Sequence, residues 1–253
     1  SEILPKFKIQ NVSHGKMETL QLLGVQNSSV FLCNRTIWVE GITDRIYIRR
    51  FLELYMTKKT QKKVYEDVDY AFIEYSGNNI THWSFLDTED DEESDCPEEK
   101  RINYKAITQN IFLITDRDKG KEQRHEKLKK YLGEKQYYCF DSLEIENSFS
   151  KDMIVAIVKK HFKPECNTES EQWSQLTKTR PETFETRKLG KLIYDKLGPE
   201  LGKTFYKKKG SGTIKDKMKF CKVALELLKD FDDLSDEQKG LTEKIYDFIA
   251  QKA

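Results

Sequence analysis

Three short apolar runs, Thr36 to Val39, Tyr70 to Tyr75 and Asn110 to Thr115, each stop at an acidic or turn-forming residue, and helical periodicity separates the first two. Thr36-Ile37-Trp38-Val39 ends on Glu40-Gly41, the second run on Ser76-Gly77-Asn78-Asn79, and the third on Asp116-Arg117-Asp118-Lys119-Gly120. From Thr43, read as an N-cap, Ile46, Tyr47, Phe51, Leu54 and Tyr55 recur at three- and four-residue spacing to about residue 57. Leu128, Tyr131 and Leu132 mark a further helix, and Tyr137 to Phe140 a fourth strand. Continuous apolar strands alternating with helices predict a parallel sheet with crossover helices, because strands buried on both faces lose their polar alternation. The fold class expected is therefore α/β, with residues 35–162 forming the sheet domain.

After residue 163 the strand signal fades, and helical periodicity returns at Leu189 to Leu197, at Met218 to Phe231, and after Ser235-x-x-Gln238, a capping box. Residues 163–253 are thus expected to form a helical, Lys-rich subdomain. Residues 1–34 carry no complete motif and read as the tail of, or linker from, something longer. Between the second and third strands, residues 87–99 hold nine acids and no base, the mark of a solvated insertion.

Composition limits the chemistry. Five Cys are scattered with no C-x-x-C pair, and none of the four His stands near another His or a Cys. A disulfide framework and a zinc site are both disfavoured. No apolar run reaches the ~18 residues that a membrane span needs, and no signal peptide is visible, so the expectation is a cytoplasmic protein without a membrane partner. The 37% hydrophobic content is low, yet 14 Phe, 12 Tyr and 3 Trp indicate a folded chain.

The acids collect where an open parallel sheet binds ligands, at the carboxyl ends of its strands. Glu40 closes the first strand, Glu74 lies near the end of the second, Asp116 and Asp118 close the third, and Glu144 and Glu146 follow the fourth. Asp116 and Asp118, two apart in an extended segment, share a face. Asp44, one helical turn beyond Glu40, stands behind it as support. Carboxylates converging in one crevice repel one another unless a cation neutralises them, and oxygen donors favour Mg²⁺ or Mn²⁺.

These segments, Ile37-Trp38-Val39-Glu40-Gly41-Ile42-Thr43-Asp44, Glu74-Tyr75-Ser76-Gly77, Ile114-Thr115-Asp116-Arg117-Asp118 and Glu144-Ile145-Glu146-Asn147, resemble the successive motifs of a TOPRIM domain. More narrowly, they are similar to the TOPRIM domain that follows an ABC-type ATPase in the OLD (overcoming lysogenization defect) family of nucleases. Leu22 to Phe31 resembles the exit from that ATPase domain. The resemblance implies a TOPRIM-like sheet and an endonuclease or nickase that hydrolyses DNA with two Mg²⁺ or Mn²⁺ ions, as part of an anti-phage ATPase-nuclease. ATP would act only through the upstream domain, and a homo-oligomer would form through the full-length protein. RNA, including tRNA, stays open as a substrate.

By the same resemblance, Glu40 is a metal ligand or general base, Asp116 and Asp118 are metal ligands, and Glu144 supports a second metal, with Glu146 as its alternative. Lys217 is the best match for a lysine near the scissile phosphate, with Lys215 and Lys219 close by. Gly202-Lys203-Thr204 suggests a P-loop, but Gly198 is one residue too close and no strand precedes it. Lys203 to Lys222 holds eight Lys against Asp216 alone, which reads either as a solvated face or as a phosphate-contacting arm. A receiver module with a Mg²⁺ pocket, or a regulatory module with vestigial acids, are the rival readings; a receiver would carry an acidic pair after its first strand in place of E-G-x-x-D.

Overall fold

The computed structural model describes residues 35–59, 61–75, 110–117, 120–162, 171–206 and 211–250. Asp118, the acidic insertion and the segment resembling an ATPase exit lie outside them.

The strands are β1 (Thr36–Val39), β2 (Ala71–Glu74), β3 (Ile111–Thr115) and β4 (Tyr137–Cys139). They form one four-stranded sheet in the order β2-β1-β3-β4. Every pairing is parallel, with Val39 beside Glu74, Trp38 beside Leu113, and Thr115 beside Cys139. Helices α1 (Ile42–Lys58), α2 (Glu122–Leu132) and α3 (Lys151–Phe162) follow β1, β3 and β4. The chain is α/β, a parallel sheet flanked by helices, as the apolar runs predict.

Both faces of the sheet are covered, which explains the lack of polar alternation. Ile37, Val39, Phe112 and Ile114 point into the large hydrophobic core. Their neighbours Trp38, Leu113 and Ile73 are equally buried on the opposite face. There the Trp38 indole N–H donates to Thr36 Oγ1 at 2.9 Å, so burial of the indole leaves no orphaned donor.

The described residues beyond 162 are mainly helical: α4 (Glu171–Thr177), α5 (Pro181–Thr186), α6 (Leu189–Gly202), α7 (Lys217–Leu227) and α8 (Asp236–Ala250). α7 and α8 both pack on α1, and α7 also packs on α3. The core runs continuously from Ile37 to Ile249, so the C-terminal helices close the face of the sheet that α1 and α3 begin to cover.

Local signals reappear in detail. Ser235 and Gln238 form the expected capping box, with Ser235 N–H on Gln238 Oε1 at 3.1 Å and Gln238 N–H on Ser235 Oγ at 3.2 Å. Helical geometry in α6 breaks at Gly198, φ +76°, just past the predicted end at Leu197. Gly202-Lys203-Thr204 lies at the C-terminal end of that helix, the wrong end for a phosphate loop. One expectation is corrected: the N-cap of α1 is Gly41, not Thr43. Asp44 reaches back to accept the Gly41 N–H at 2.9 Å, so the helix starts at Ile42 and Thr43 falls inside its first turn.

A tight approach fixes the segment before α7. The Gly212 carbonyl accepts from Lys191 N–H at 2.9 Å, and Lys215 N–H donates to Phe205 O at 2.9 Å. A Cβ on Gly190 would fall inside the van der Waals radius of the Thr213 carbonyl, whereas a Cβ on Gly240 in α8 meets nothing within 4 Å. Gly190→Ala should therefore lower stability by about 1–3 kcal/mol or more. Gly240→Ala should raise it by about 1 kcal/mol through helix propensity. Denaturant melts of the two variants check the pair; equal effects would contradict the packing described.

Candidate functional site

The end of β1 delivers Glu40 to the carboxyl edge of the sheet, and the end of β3 delivers Asp116 next to it. Asp44 projects from the first turn of α1 and is buried. After β4 the chain enters a short 3-10 turn, Ile145–Ser148, capped by Glu144, which brings in two more buried carboxylates, Glu144 and Glu146. The turn is braced from outside. Asn147 Nδ2 donates to Phe184 O at 2.5 Å and Arg187 O at 2.8 Å, and Gln238 Nε2 donates to Ser148 Oγ at 2.9 Å.

Lys217 enters this acid cluster from the first position of α7, whose N-cap is Asp216, accepting Lys219 N–H at 2.9 Å. Its Nζ lies 3.1 Å from Glu144 Oε2 and 3.3 Å from Glu146 Oε2. A lysine in the first turn of a helix opposes the macrodipole, so the carboxylates hold it there. The other Glu144 oxygen is taken by Lys188, at 2.5 Å. The Glu146 contact is an ion pair without aligned hydrogen-bond geometry, since neither Glu146 oxygen has a hydrogen-bond partner although both are buried.

The electrostatics follow from crowding. Burial, then repulsion from Glu146, pushes Asp44 up to about 7, against the pull of Lys217 and the Gly41 N–H. Asp116 is held well above the usual carboxylate range by burial and by the charges of Asp44 and Glu40. Burial raises Glu146 as well, and Lys217 partly offsets the effect. For Lys217, burial opposes the charge, but Glu146, Glu144, Asp44 and Asp116 together outweigh it, so the ammonium stays protonated. These mutual effects place Glu40, Asp44, Asp116, Glu144, Glu146 and Lys217 in one electrostatic unit.

Of the remaining sequence candidates, Asp118 lies outside the described residues. Glu74 is drawn off by Arg45, 3.2 Å away, a guanidinium that also pairs with Glu66. Lys215 and Lys219 do not contact the carboxylates; with His161, Lys203 and Thr204 they line a separate cavity of about 360 Å³. Lys188 is a site residue that sequence reasoning missed. The only hint was its place at the start of a periodic helix, since its partner Glu144 is 44 residues away. Cys139 and Cys221 are free thiols, and the other cysteines lie outside the described residues.

Among the described residues, no three acidic, histidine or cysteine side chains are arranged to hold one metal ion. The donor chemistry nevertheless fits a hard divalent cation. All donors are oxygens, and the five carboxylates outnumber the ammonium groups of Lys188 and Lys217. Glu144 and Glu146 are engaged by lysine, whereas Glu40 and Asp116 make no ion pair among the described residues. Glu40 and Asp116 are therefore the two acids of the cluster that no ion pair occupies among the described residues.

No family model matches this chain, and no curated protein and no solved structure matches it. Among the described residues, no helix is long and apolar enough to cross a membrane.

The raised acid groups set a pH dependence of stability. Asp44 keeps its proton in the folded state up to about pH 7, whereas the unfolded chain loses it near 3.8. The native state thus binds more protons between those values, so stability falls as pH rises through that window and levels off above it. Asp44→Asn keeps an oxygen for the Gly41 N–H and removes the ionisation. It should leave stability unchanged near pH 4 and raise it by a few kcal/mol, on the order of 1.4 kcal/mol per pH unit crossed, at pH 8. Urea melts at both pH values test this; an equal gain at each would contradict it.

Proposed function

We propose that this chain is a metal-dependent nuclease that hydrolyses phosphodiester bonds, with DNA as substrate. The observation that supports this most is the convergence of Glu40, Asp44, Asp116, Glu144 and Glu146, from three separate segments, around the ammonium of Lys217 at the carboxyl edge of a parallel sheet. Such a crowd of buried acids is costly to folding, and phosphoryl transfer is a chemistry that uses it. The TOPRIM and OLD resemblance points to the same reaction and to an ATPase-coupled role in anti-phage defence.

Glu40, Asp44 and Asp116 would hold Mg²⁺ or Mn²⁺, which supplies positive charge beside the phosphoryl oxygens. Glu144 and Glu146 keep Lys217 in place and charged. Lys217 then acts as an electrostatic stabiliser of the charge that builds on the phosphoryl group; an ammonium held this firmly does not serve as a base at neutral pH. Glu40, at the mouth of the cluster and only partly buried, is the candidate to accept a proton from the attacking water.

Incubation with supercoiled plasmid and Mn²⁺ should yield nicked circles. Asp116→Ala should abolish the product, and Lys217→Gln should slow it by about 10²–10³-fold. The rate should rise between pH 6 and 8 as Asp44 gives up its proton to make room for the cation. Undiminished nicking by Asp116→Ala would defeat the proposal, and cleavage confined to an RNA substrate would reassign the substrate.

A further inference from the structure

Beside the acid cluster lies a cavity of about 350 Å³ lined by Arg117, Arg187, Lys188 and Lys191, with Thr186 and Gly212 completing its wall. None of its four cations belongs to the Lys203–Lys222 stretch, and among the described residues no carboxylate lines the cavity. Arg117 follows β3 and is anchored by its Nη1 on Asp141 O at 2.8 Å. Arg187 and Lys188 lead into α6, and Lys191 lies in its first turn. Arg187 and Lys191 share one acid, Asp195, at 3.1 Å and 2.8 Å. Lys188 leans the other way, to Glu144.

We infer that this cavity binds a phosphate of the nucleic-acid strand whose neighbouring phosphodiester faces the acid cluster. The inference rests on the nuclease reading above. Among the described residues, Asp195 and a share of Glu144 stand against two guanidiniums and two ammoniums, which leaves positive charge that an anion would neutralise, and arginine forks suit phosphate oxygens. The start of α6 adds the positive end of a helix dipole. The volume lies at the low end of the roughly 300–1,000 Å³ of ligand pockets, room for a phosphate and its sugar rather than for a large cofactor. Because Lys188 borders the cavity and also bonds Glu144, a strand seated there lies alongside the carboxylates. A catalytic edge of acids would repel the polyanion it must cut; a basic pocket at its border supplies the missing attraction.

The test uses a labelled 20-nucleotide single-stranded DNA in EDTA, where cleavage is blocked, with anisotropy read from 50 to 300 mM NaCl. Arg117→Gln/Lys191→Gln changes two exposed side chains, and Lys127→Gln/Lys130→Gln on α2 removes the same charge elsewhere. The cavity double variant should bind at least tenfold more weakly at 100 mM salt, and its log–log salt slope should be smaller by about 0.7, for the one phosphate no longer neutralised. Arg117→Lys/Lys191→Arg should restore most of the slope, and the α2 control should match the wild type. Inorganic phosphate should compete only at millimolar concentration. The inference is overturned if the cavity variant behaves like the control, if wild type binds no strand, or if a free mononucleotide saturates the site at micromolar concentration while the strand does not bind. The nuclease reading is judged separately by plasmid nicking. Nicking with unchanged strand affinity in the cavity variant sinks the pocket and leaves the nuclease; weakened strand binding without nicking by any form sinks the nuclease and leaves the pocket.

Discussion

The ion pairs of Lys217 with Glu144 and Glu146 are the contact on which the candidate site depends. The lysine belongs to α7, the glutamates to the turn after β4, so the contact joins the helical C-terminal region to the acid-lined edge of the sheet. Glu146 is fully buried, and no hydrogen bond replaces the water it loses. Removing the ammonium would strand a buried charge, at a cost of about 3–5 kcal/mol for pairs of this kind. The pair is thus less a gain in stability than a condition for keeping two acids inside the protein at all.

Everything around that contact serves to hold its two halves in register. Asn147 clamps the glutamate turn to the end of α5, and Gln238 ties the same turn to the start of α8. Glu237, the neighbour of Gln238, accepts the Asp141 N–H at 2.6 Å and so fixes the chain as it leaves β4. On the other side, the bare surface of Gly190 lets the Thr213 carbonyl close in, which sets the path of the chain into Lys217. Side chains with hydrogen bonds and a residue with no side chain thus do the same work, placing charges where burial alone would reject them.

How much of this was legible in the sequence depends on the range of the interaction. The strands and the Ser235–Gln238 box are written in neighbouring residues, and they appear within a residue or two of their expected bounds. Glu40 and Asp116 were readable because topology alone brings the ends of adjacent parallel strands together. Glu74, at the equivalent place on β2, was misleading, since nothing local announces that Arg45 will claim it. Thr43 has the residue type of a good cap, but Asp44, one position later, completes the cap from inside the helix. Lys188 was invisible for a deeper reason: its role is set by Glu144, and pairing over such a separation leaves no spacing rule to read.

The same logic explains a net charge of only +1 on a chain that is one-third charged. Neutrality here sums unlike neighbourhoods as well as paired surface ions such as Lys58 with Asp230 and Asp232. The carboxylates are concentrated at the strand ends, and the arginines and lysines of the adjoining cavity are concentrated a few residues away. Lys188 lies on the boundary and is counted by both. A change of charge on either side must therefore be felt on the other, because the two regions share a partly exposed ammonium at hydrogen-bond distance from a buried acid. Exposed pairs separated by more than a Debye length would be screened from each other, whereas this boundary is shorter than a Debye length and one of its partners is buried.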